Sequence, residues 1–354
     1  MGALGPVVAD ASPKLPGISA QDLLAKVQTA KVDGLSGTVR SDADLGLPAI
    51  PGMGDGGSSQ LTEMLSGQHT ARIAFATPDK ARVSVLDNQA ERVWTTDGTS
   101  AWAYDSAKRE ATKLTLPAHR TAKPEKVAPK SYDPQSVAKQ FLDAIDPTTK
   151  VQVSGTEKVA GRDAYKLRLV PKTDKTTVGS VTLAIDSKTW VPLDVTVMPR
   201  TGNDPAVEVG FTSVSFDVPS ASTFSFTPPK GVKVTDRKVP SKVTPQQISP
   251  KQKGEPGRLL PRKPGTAADE KPTVIGEGWD SVVMLKGATQ AAGMPGSGPL
   301  AQLLAKAPTV QGSWGKGKIV TSKMVSALIT DDGRVFAGLV TPDTLQAAAA
   351  KAPR

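Results

Sequence analysis

Apolar residues recur along this chain with two different periods, and the switches between them divide it into elements. Between Ser19 and Gly34, Ala20, Leu23, Leu24, Val27 and Ala30 follow a 3.6-residue period, which predicts a helix with one buried face. Ser19-Ala20-Gln21-Asp22 opens it as a variant capping box, Ile18 staples onto Leu23, and Gly34 ends it. A strand over 35–41 follows. From His69 to Leu116 the period falls to two: Ala71, Ile73 and Phe75 share one face, and Ala81, Val83 and Val85 share a face of the next strand. Two further strands meet at Asp97-Gly98, so a four-stranded antiparallel meander is expected here.

Helical spacing returns twice. Leu61, Met64 and Leu65 follow the Gly- and Pro-rich stretch 47–58 and predict a short amphipathic helix behind a mobile loop. Val137, Ala138, Phe141, Leu142 and Ile145 predict a second amphipathic helix, entered at Asp133-Pro134 and stopped by Pro147. Strands then resume at 151–153, 165–170, 178–186, 190–198, 207–216 and 224–226. Leu167 and Leu169 fall on one face, as do Val181, Leu183 and Ile185, and Leu193, Val195 and Val197. About eleven antiparallel strands are more than an open sheet carries flat, so the sheet is expected to curl into a half-barrel. The predicted class is α+β: an open antiparallel half-barrel covered by amphipathic helices, plus a small C-terminal α+β domain.

Boundaries follow from composition. Residues 236–271 are rich in Pro, Lys and Gln without apolar periodicity and are expected to be a linker. The four predicted segments are 1–17, a remnant of an export or anchor segment; 18–235, the large sheet; 236–271, the linker; and 272–354, the small domain. In the last segment strands are expected at 279–285, 318–330 and 334–340, with an Asp331-Asp332-Gly333 turn. A short helix is expected at 299–307, and Thr341-Pro342-Asp343 caps a final alanine-rich helix. The opening Ala9-Asp10-Ala11 reads as the trailing end of an export segment.

Charge and residue usage narrow the chemistry. The formal net charge of +10 favours an anionic membrane surface over nucleic acid, because no aromatic-interleaved basic face or zinc-finger spacing accompanies it. With no cysteine, disulfides, thiol nucleophiles, Cys-ligated zinc and a lipid-modified N-terminal cysteine are excluded. The two histidines, His69 and His119, stand beside no G-x-S-x-G elbow and form no H-E-x-x-H, so neither a serine hydrolase nor a zinc enzyme is expected, and no metal or cofactor. Gly52-Met53-Gly54-Asp55-Gly56-Gly57 has the letters of a dinucleotide fingerprint, but Pro48 and Pro51 break the strand it needs. Gly312-Ser313-Trp314-Gly315-Lys316-Gly317-Lys318 approaches a P-loop, yet Ile319 replaces the required hydroxyl. Asp42-Ala43-Asp44 begins a calcium loop that has no later acidic ligands. What remains is apolar surface, and periodicity alone leaves two readings open: a dry core, or a cavity that admits acyl chains.

Four segments bear on that choice. Ala74-Phe75-Ala76-Thr77-Pro78-Asp79-Lys80-Ala81-Arg82-Val83 reads as strand, proline corner and strand. Thr96-Asp97-Gly98 followed by Trp102-Ala103-Tyr104 reads as a hairpin with W-x-Y. Tyr165-Lys166-Leu167-Arg168-Leu169-Val170-Pro171-Lys172 is a Y-x-L-x-L-x-P-K strand, and Phe224-Ser225-Phe226-Thr227-Pro228-Pro229-Lys230-Gly231-Val232 closes the series as a last edge strand. In this order, over about residues 18–238, the chain resembles the LolA-like family of periplasmic lipoprotein carriers. It departs from that family at Thr77, where Gram-negative carriers place an arginine that latches the lid. A small domain after such a carrier resembles the RseB-like envelope-stress regulators.

The resemblance implies a non-enzymatic extracytoplasmic carrier that binds the acyl chains of a lipid or acylated lipoprotein. It implies a cavity lined by Ile73, Phe75, Val83, Val85, Trp102, Leu167, Leu169, Leu183, Ile185, Val195 and Val197, under a lid of Leu61, Met64, Leu65, Val137, Phe141, Leu142 and Ile145. Trp94, Trp102 and Tyr104 are expected at the sheet face or rim. The alternatives are a lipid sensor that grips a membrane-anchored protein partner through 272–354 and, third, a lipid hydrolase.

Overall fold

A computed structural model describes residues 12–46, 67–87, 90–116, 148–238, 272–286 and 304–352. Helix α1 (Ala20–Thr29) begins where expected: the Ser19 hydroxyl accepts the Asp22 N–H at 3.0 Å, and Asp22 accepts the Ser19 hydroxyl at 2.7 Å. It ends at Thr29, five residues before the glycine expected to stop it.

Twelve strands form one open sheet. In chain order they are β1 (Gly34–Ala43), β2 (Gly67–Ala76), β3 (Lys80–Asp87), β4 (Ala90–Thr96), β5 (Ser100–Asp105), β6 (Glu110–Thr115), β7 (Thr149–Val159), β8 (Arg162–Pro171), β9 (Val178–Asp186), β10 (Pro192–Pro199), β11 (Val207–Ser215) and β12 (Lys233–Lys238). Spatially they run β12-β6-β5-β4-β3-β2-β1-β11-β10-β9-β8-β7, so the late strands return to the free side of β1 and the sheet is not closed. Pairing is antiparallel throughout except that β12 lies parallel to β6.

That parallel strand corrects one expectation. Residues 224–226 are not the closing strand: Ala221–Phe224 is a single 3-10 turn, and the Thr223, Phe224 and Ser225 carbonyls are taken by side chains and not by a ladder. The Thr95 hydroxyl donates to the Phe224 carbonyl at 2.9 Å, and Arg82 donates to the Thr223 and Ser225 carbonyls at 3.2 and 3.3 Å. Phe224 buries against Ala74 and Ala76, and the Phe226 ring rests 5.5 Å from Trp102 and 5.4 Å from Tyr104. Satisfied by side chains and anchored by two rings, the segment lies across the sheet, and the closing strand forms beyond Gly231, reaching Lys238 within the stretch expected to be linker.

A second sheet contains β13 (Thr273–Ile275), β14 (Val282–Leu285), β15 (Thr309–Gly312), β16 (Gly315–Thr321), β17 (Ser326–Thr330) and β18 (Val335–Gly338), in the order β13-β14-β18-β17-β16-β15. Helix α2 (Pro342–Lys351), capped by Thr341, covers one face and buries Leu345 and Ala349 against Phe336, Leu328, Val282 and Met284. Gly312 through Lys318 forms the β15–β16 hairpin, which is incompatible with a phosphate-binding loop before a helix.

The two sheets are stitched together. Thr176 bridges Val340, Thr177 N–H donates to the Leu339 carbonyl at 3.1 Å, and Thr341 N–H donates to the Lys175 carbonyl at 2.8 Å. The Trp279 indole N–H donates to the Thr149 hydroxyl at 2.7 Å, and Lys323 reaches the Pro205 carbonyl at 3.1 Å and Asp44 at 3.2 Å. Asp44 is thereby committed to an ion pair, and Asp42 accepts from Gln68 at 2.7 Å; the calcium-like Asp42-Ala43-Asp44 is structural.

Candidate functional site: an apolar sheet face

Strand register places most of the expected lining residues on one face of the large sheet. Ile73, Val83, Trp94 and Ala103 form one cross-strand row over β2–β5, and Phe75 pairs with Leu35 and Ala81 in the next. On the other half, Val209, Val195, Leu183, Leu167 and Val153 form a row over β11 to β7, and Val207, Val197, Val181, Leu169 and Val151 form a second. Ile73 pairs with Gly37 and Val209 with Ser41, alternate positions on β1, so the rows of both halves share a face. With apolar residues at successive cross-strand positions, that face gains nothing from water and must be covered by protein or by another apolar body.

Parts of it are covered. Helix α1 lays Leu23 and Leu24 on Tyr165, Leu167 and Ile185, with Leu169 and Leu183 packed at the edge; Leu167 and Ile185 are 1% and 0% exposed. A lock holds α1 there. Trp190 stacks on Tyr165 at 6.0 Å with rings 13° apart, Lys26 sits 4.4 Å over the Trp190 ring, and the Tyr165 hydroxyl donates to the Pro16 carbonyl at 3.0 Å. The turn that presents Trp190 is clamped by Asp186, which is buried and accepts the N–H groups of Lys188 and Thr189 and the Arg162 guanidinium. Burial pushes this carboxyl up, but the Arg162 and Thr189 hydrogen bonds outweigh it and hold Asp186 below the usual carboxylate range. At the far end, Val181 and Val197 pack with Val178 and Ala206 against Met324 and Val325 of the β16–β17 connection and Trp279 before β14.

Between these covers, the described residues leave part of the face exposed. Val83, Trp94 and Val209 are 36%, 43% and 37% exposed, and Ile73, Phe75, Leu183, Val195 and Val197 are half-buried. Val85 is buried on the same face. Trp102 is not brought together with them. It pairs with Thr95 on the opposite face, as does Tyr104 with Val93, and both rings pack on Phe226. Trp94, and not Trp102, lies on the apolar face, and Val207 and Val209 join it there. The Val207-Glu208-Val209 alternation carried that information, because its odd positions continue the row of Val195 and Val197. Leu61, Met64, Leu65, Val137, Phe141, Leu142 and Ile145, the expected lid, lie outside the described residues, as do His119 and the glycines of 52–57.

His69 lies within β2, opposite Ser41. Among the described residues no group of three His, Asp or Glu side chains could hold a metal ion, and no helix is long and apolar enough to cross a membrane.

No family model matches the sequence, and no curated protein matches it. Solved structures do. The chain is similar to MucB in complex with the periplasmic part of MucA, at 15% identity over 93% of this chain and 97% of that one, with a TM-score of 0.45. The Pseudomonas aeruginosa MucA/MucB complex matches at 15% identity over 93% and 96%, TM-score 0.43. A LolA superfamily protein of Nitrosomonas europaea matches at 12% identity over 59% of this chain and 99% of that one, TM-score 0.21.

Proposed function

We propose that this protein is a non-enzymatic carrier that holds the acyl chains of a lipid or lipoprotein against the apolar face of its large sheet. The observation that carries the reading is the exposure of Val83 and Trp94 in one cross-strand row, on the face they share with the exposed Val209, where no described residue covers them. Each methylene moved from water onto such a surface gains about 0.8 kcal/mol, so a long acyl chain gains on the order of 10 kcal/mol before the cost of ordering it. Aliphatic side chains without fixed polar groups accept tails of differing length and saturation, which suits a carrier more than an enzyme that must orient one bond.

In this reading residues 18–235 are the lipid-binding unit and 272–354 a second unit, and the protein works outside the cytoplasm at a membrane surface, with its net charge of +10 favouring anionic lipid. One observation favours a sensor as a second reading. The face of the second sheet away from α2 carries Val274, Val283 and Leu285, which are 61%, 40% and 40% exposed, and such a surface fits a protein partner anchored in the membrane.

Native mass spectrometry of freshly purified protein tests the class of function directly. Co-purifying lipid, together with quenching of Trp94 emission by a doxyl-labelled fatty acid, is expected. Absence of both refutes lipid binding. Transfer of labelled lipid between vesicles is expected of a carrier, whereas retention without transfer favours the sensor.

A further inference from the structure

The opposite face of the same sheet holds a cavity. Over β7–β11 the sheet curls until β7 approaches β11 across the intervening strands, with Val159 packed near Phe211, Val214 and Phe216 at one end. The resulting trough encloses about 930 Å³, a size typical of small-ligand sites.

A polar outer face is ordinary for an antiparallel sheet. Three features here are not. Asp42 and Glu208 are direct cross-strand partners, a like-charge pair that costs stability. Diagonal to Glu208, the Asp194 carboxylate occupies the space over Gly210, where a Cβ would come within 2.2 Å of its Oδ2. Burial together with Glu208 and Glu157 pushes Asp194 above the usual carboxylate range, although Thr196 donates to it at 3.0 Å. A fold with no use for this arrangement would be more stable without it.

The charges lining the trough balance, with four cations and four carboxylates, and Lys166 and Glu157 pair at 2.9 Å. Such a surface attracts neither an anion nor a cation as a whole. It offers fixed acceptors and fixed donors side by side, together with the hydroxyls of Thr182 and Thr196 and one aromatic ring, Phe211. That combination suits a neutral molecule dense in both donors and acceptors. We propose that the trough binds a neutral saccharide, its hydroxyls held between the Asp194 and Glu208 carboxylates and the Arg40 and Arg168 guanidinium groups, with a C–H face against Phe211.

Saturation-transfer NMR and calorimetry with maltotriose, cellotriose and triacetylchitotriose test this, with trilysine and tripolyphosphate as charged comparators. At least one neutral trisaccharide is expected to bind with one-to-one stoichiometry. Asp194→Ala is expected to weaken it at least tenfold while raising Tm, a pairing that a purely structural aspartate would not give. Glu208→Gln is expected to weaken it with the fold intact, and Trp94→Ala, on the other face, to leave it unchanged. Failure of all three sugars to bind, tighter binding of either charged comparator, or unchanged affinity in Asp194→Ala overturns the proposal.

Discussion

The two halves of the large sheet are sealed on opposite faces. Over β7–β10 the apolar face is largely covered by α1 and the second unit, while the other face opens as a polar trough. Over β2–β6 the arrangement inverts: Phe224 and Phe226 pack on the opposite face, and among the described residues nothing covers the apolar face at Val83 and Trp94. A single antiparallel sheet with one wet and one dry side would have a continuous cover on its dry side. Here the covers supplied by the described residues are split, so the contacts that hold the sheet differ from the exposed apolar residues proposed to take an acyl chain. The contacts that hold the sheet and the exposed apolar residues lie on different segments and can be changed separately.

The largest effect is expected from removing the cover of the second half. Phe224→Ala deletes a fully buried ring that packs on Ala74 and Ala76, and should cost about 3–5 kcal/mol, read as a fall in denaturation midpoint. Because the same segment leads into β12, amide exchange should rise in β12 and β6 before β8 and β9. A uniform rise across all strands would mean the halves are one cooperative unit and would erase the comparison.

Breaking the lock on the first half is expected to cost less. Asp186→Ala leaves the Arg162 guanidinium without its partner and removes the clamp on the turn that presents Trp190; with Arg162 27% exposed at its side chain, about 2–3 kcal/mol is expected. The loss should be accompanied by greater exposure of α1, detectable as faster exchange over Leu23–Val27. Stability lost without loosening of α1 would assign Asp186 to the turn alone.

Trp94→Ala separates the exposed apolar surface from the contacts that hold the sheet. As a 43% exposed side chain in no core cluster, it should change stability by less than about 0.5 kcal/mol, yet lower affinity for a labelled fatty acid by about tenfold, near 1.4 kcal/mol. Equal loss of affinity in Trp102→Ala would contradict the assignment of faces, because Trp102 lies behind the sheet.

How much of this the sequence disclosed follows from the kind of signal each part carries. Period-two alternation marks which residues share a face along one strand, so Leu167 with Leu169 and Val195 with Val197 were legible. The N-caps of Ser19 and Thr341 were legible too, because a hydroxyl and an N–H three residues on settle them locally. Alternation does not say which face of one strand joins which face of another; that is fixed by register, and Trp102 was placed with Val83 for want of it. The F-x-F segment misled for a related reason. Its two rings do point the same way, as in a strand, but the partners of its carbonyls are the side chains of Thr95 and Arg82, more than a hundred residues away. The trough was invisible because its charges lie on five strands and come together only through curvature.

The smallest effect concerns the tight turn between β4 and β5, the counterpart in the open half of the Asp186 clamp. Asp97 accepts the N–H groups of Thr99 and Ser100, each at 2.8 Å, and both hydroxyls as well. Partial burial pushes its carboxyl up, but these bonds prevail and lower it from 3.8 to about 2. A carboxyl whose folded pKa lies below its unfolded value stabilises the fold fully above the unfolded pKa and ceases to do so as pH falls through the folded one. Asp97 should therefore contribute at neutral pH and lose that contribution between pH 3.8 and about 2. Its solvent contact limits the gain to about 1 kcal/mol or less. Asp97→Asn should accordingly narrow the stability difference between pH 5 and pH 2 relative to the parent. An unchanged difference would mean that the open half draws its acid sensitivity from another group.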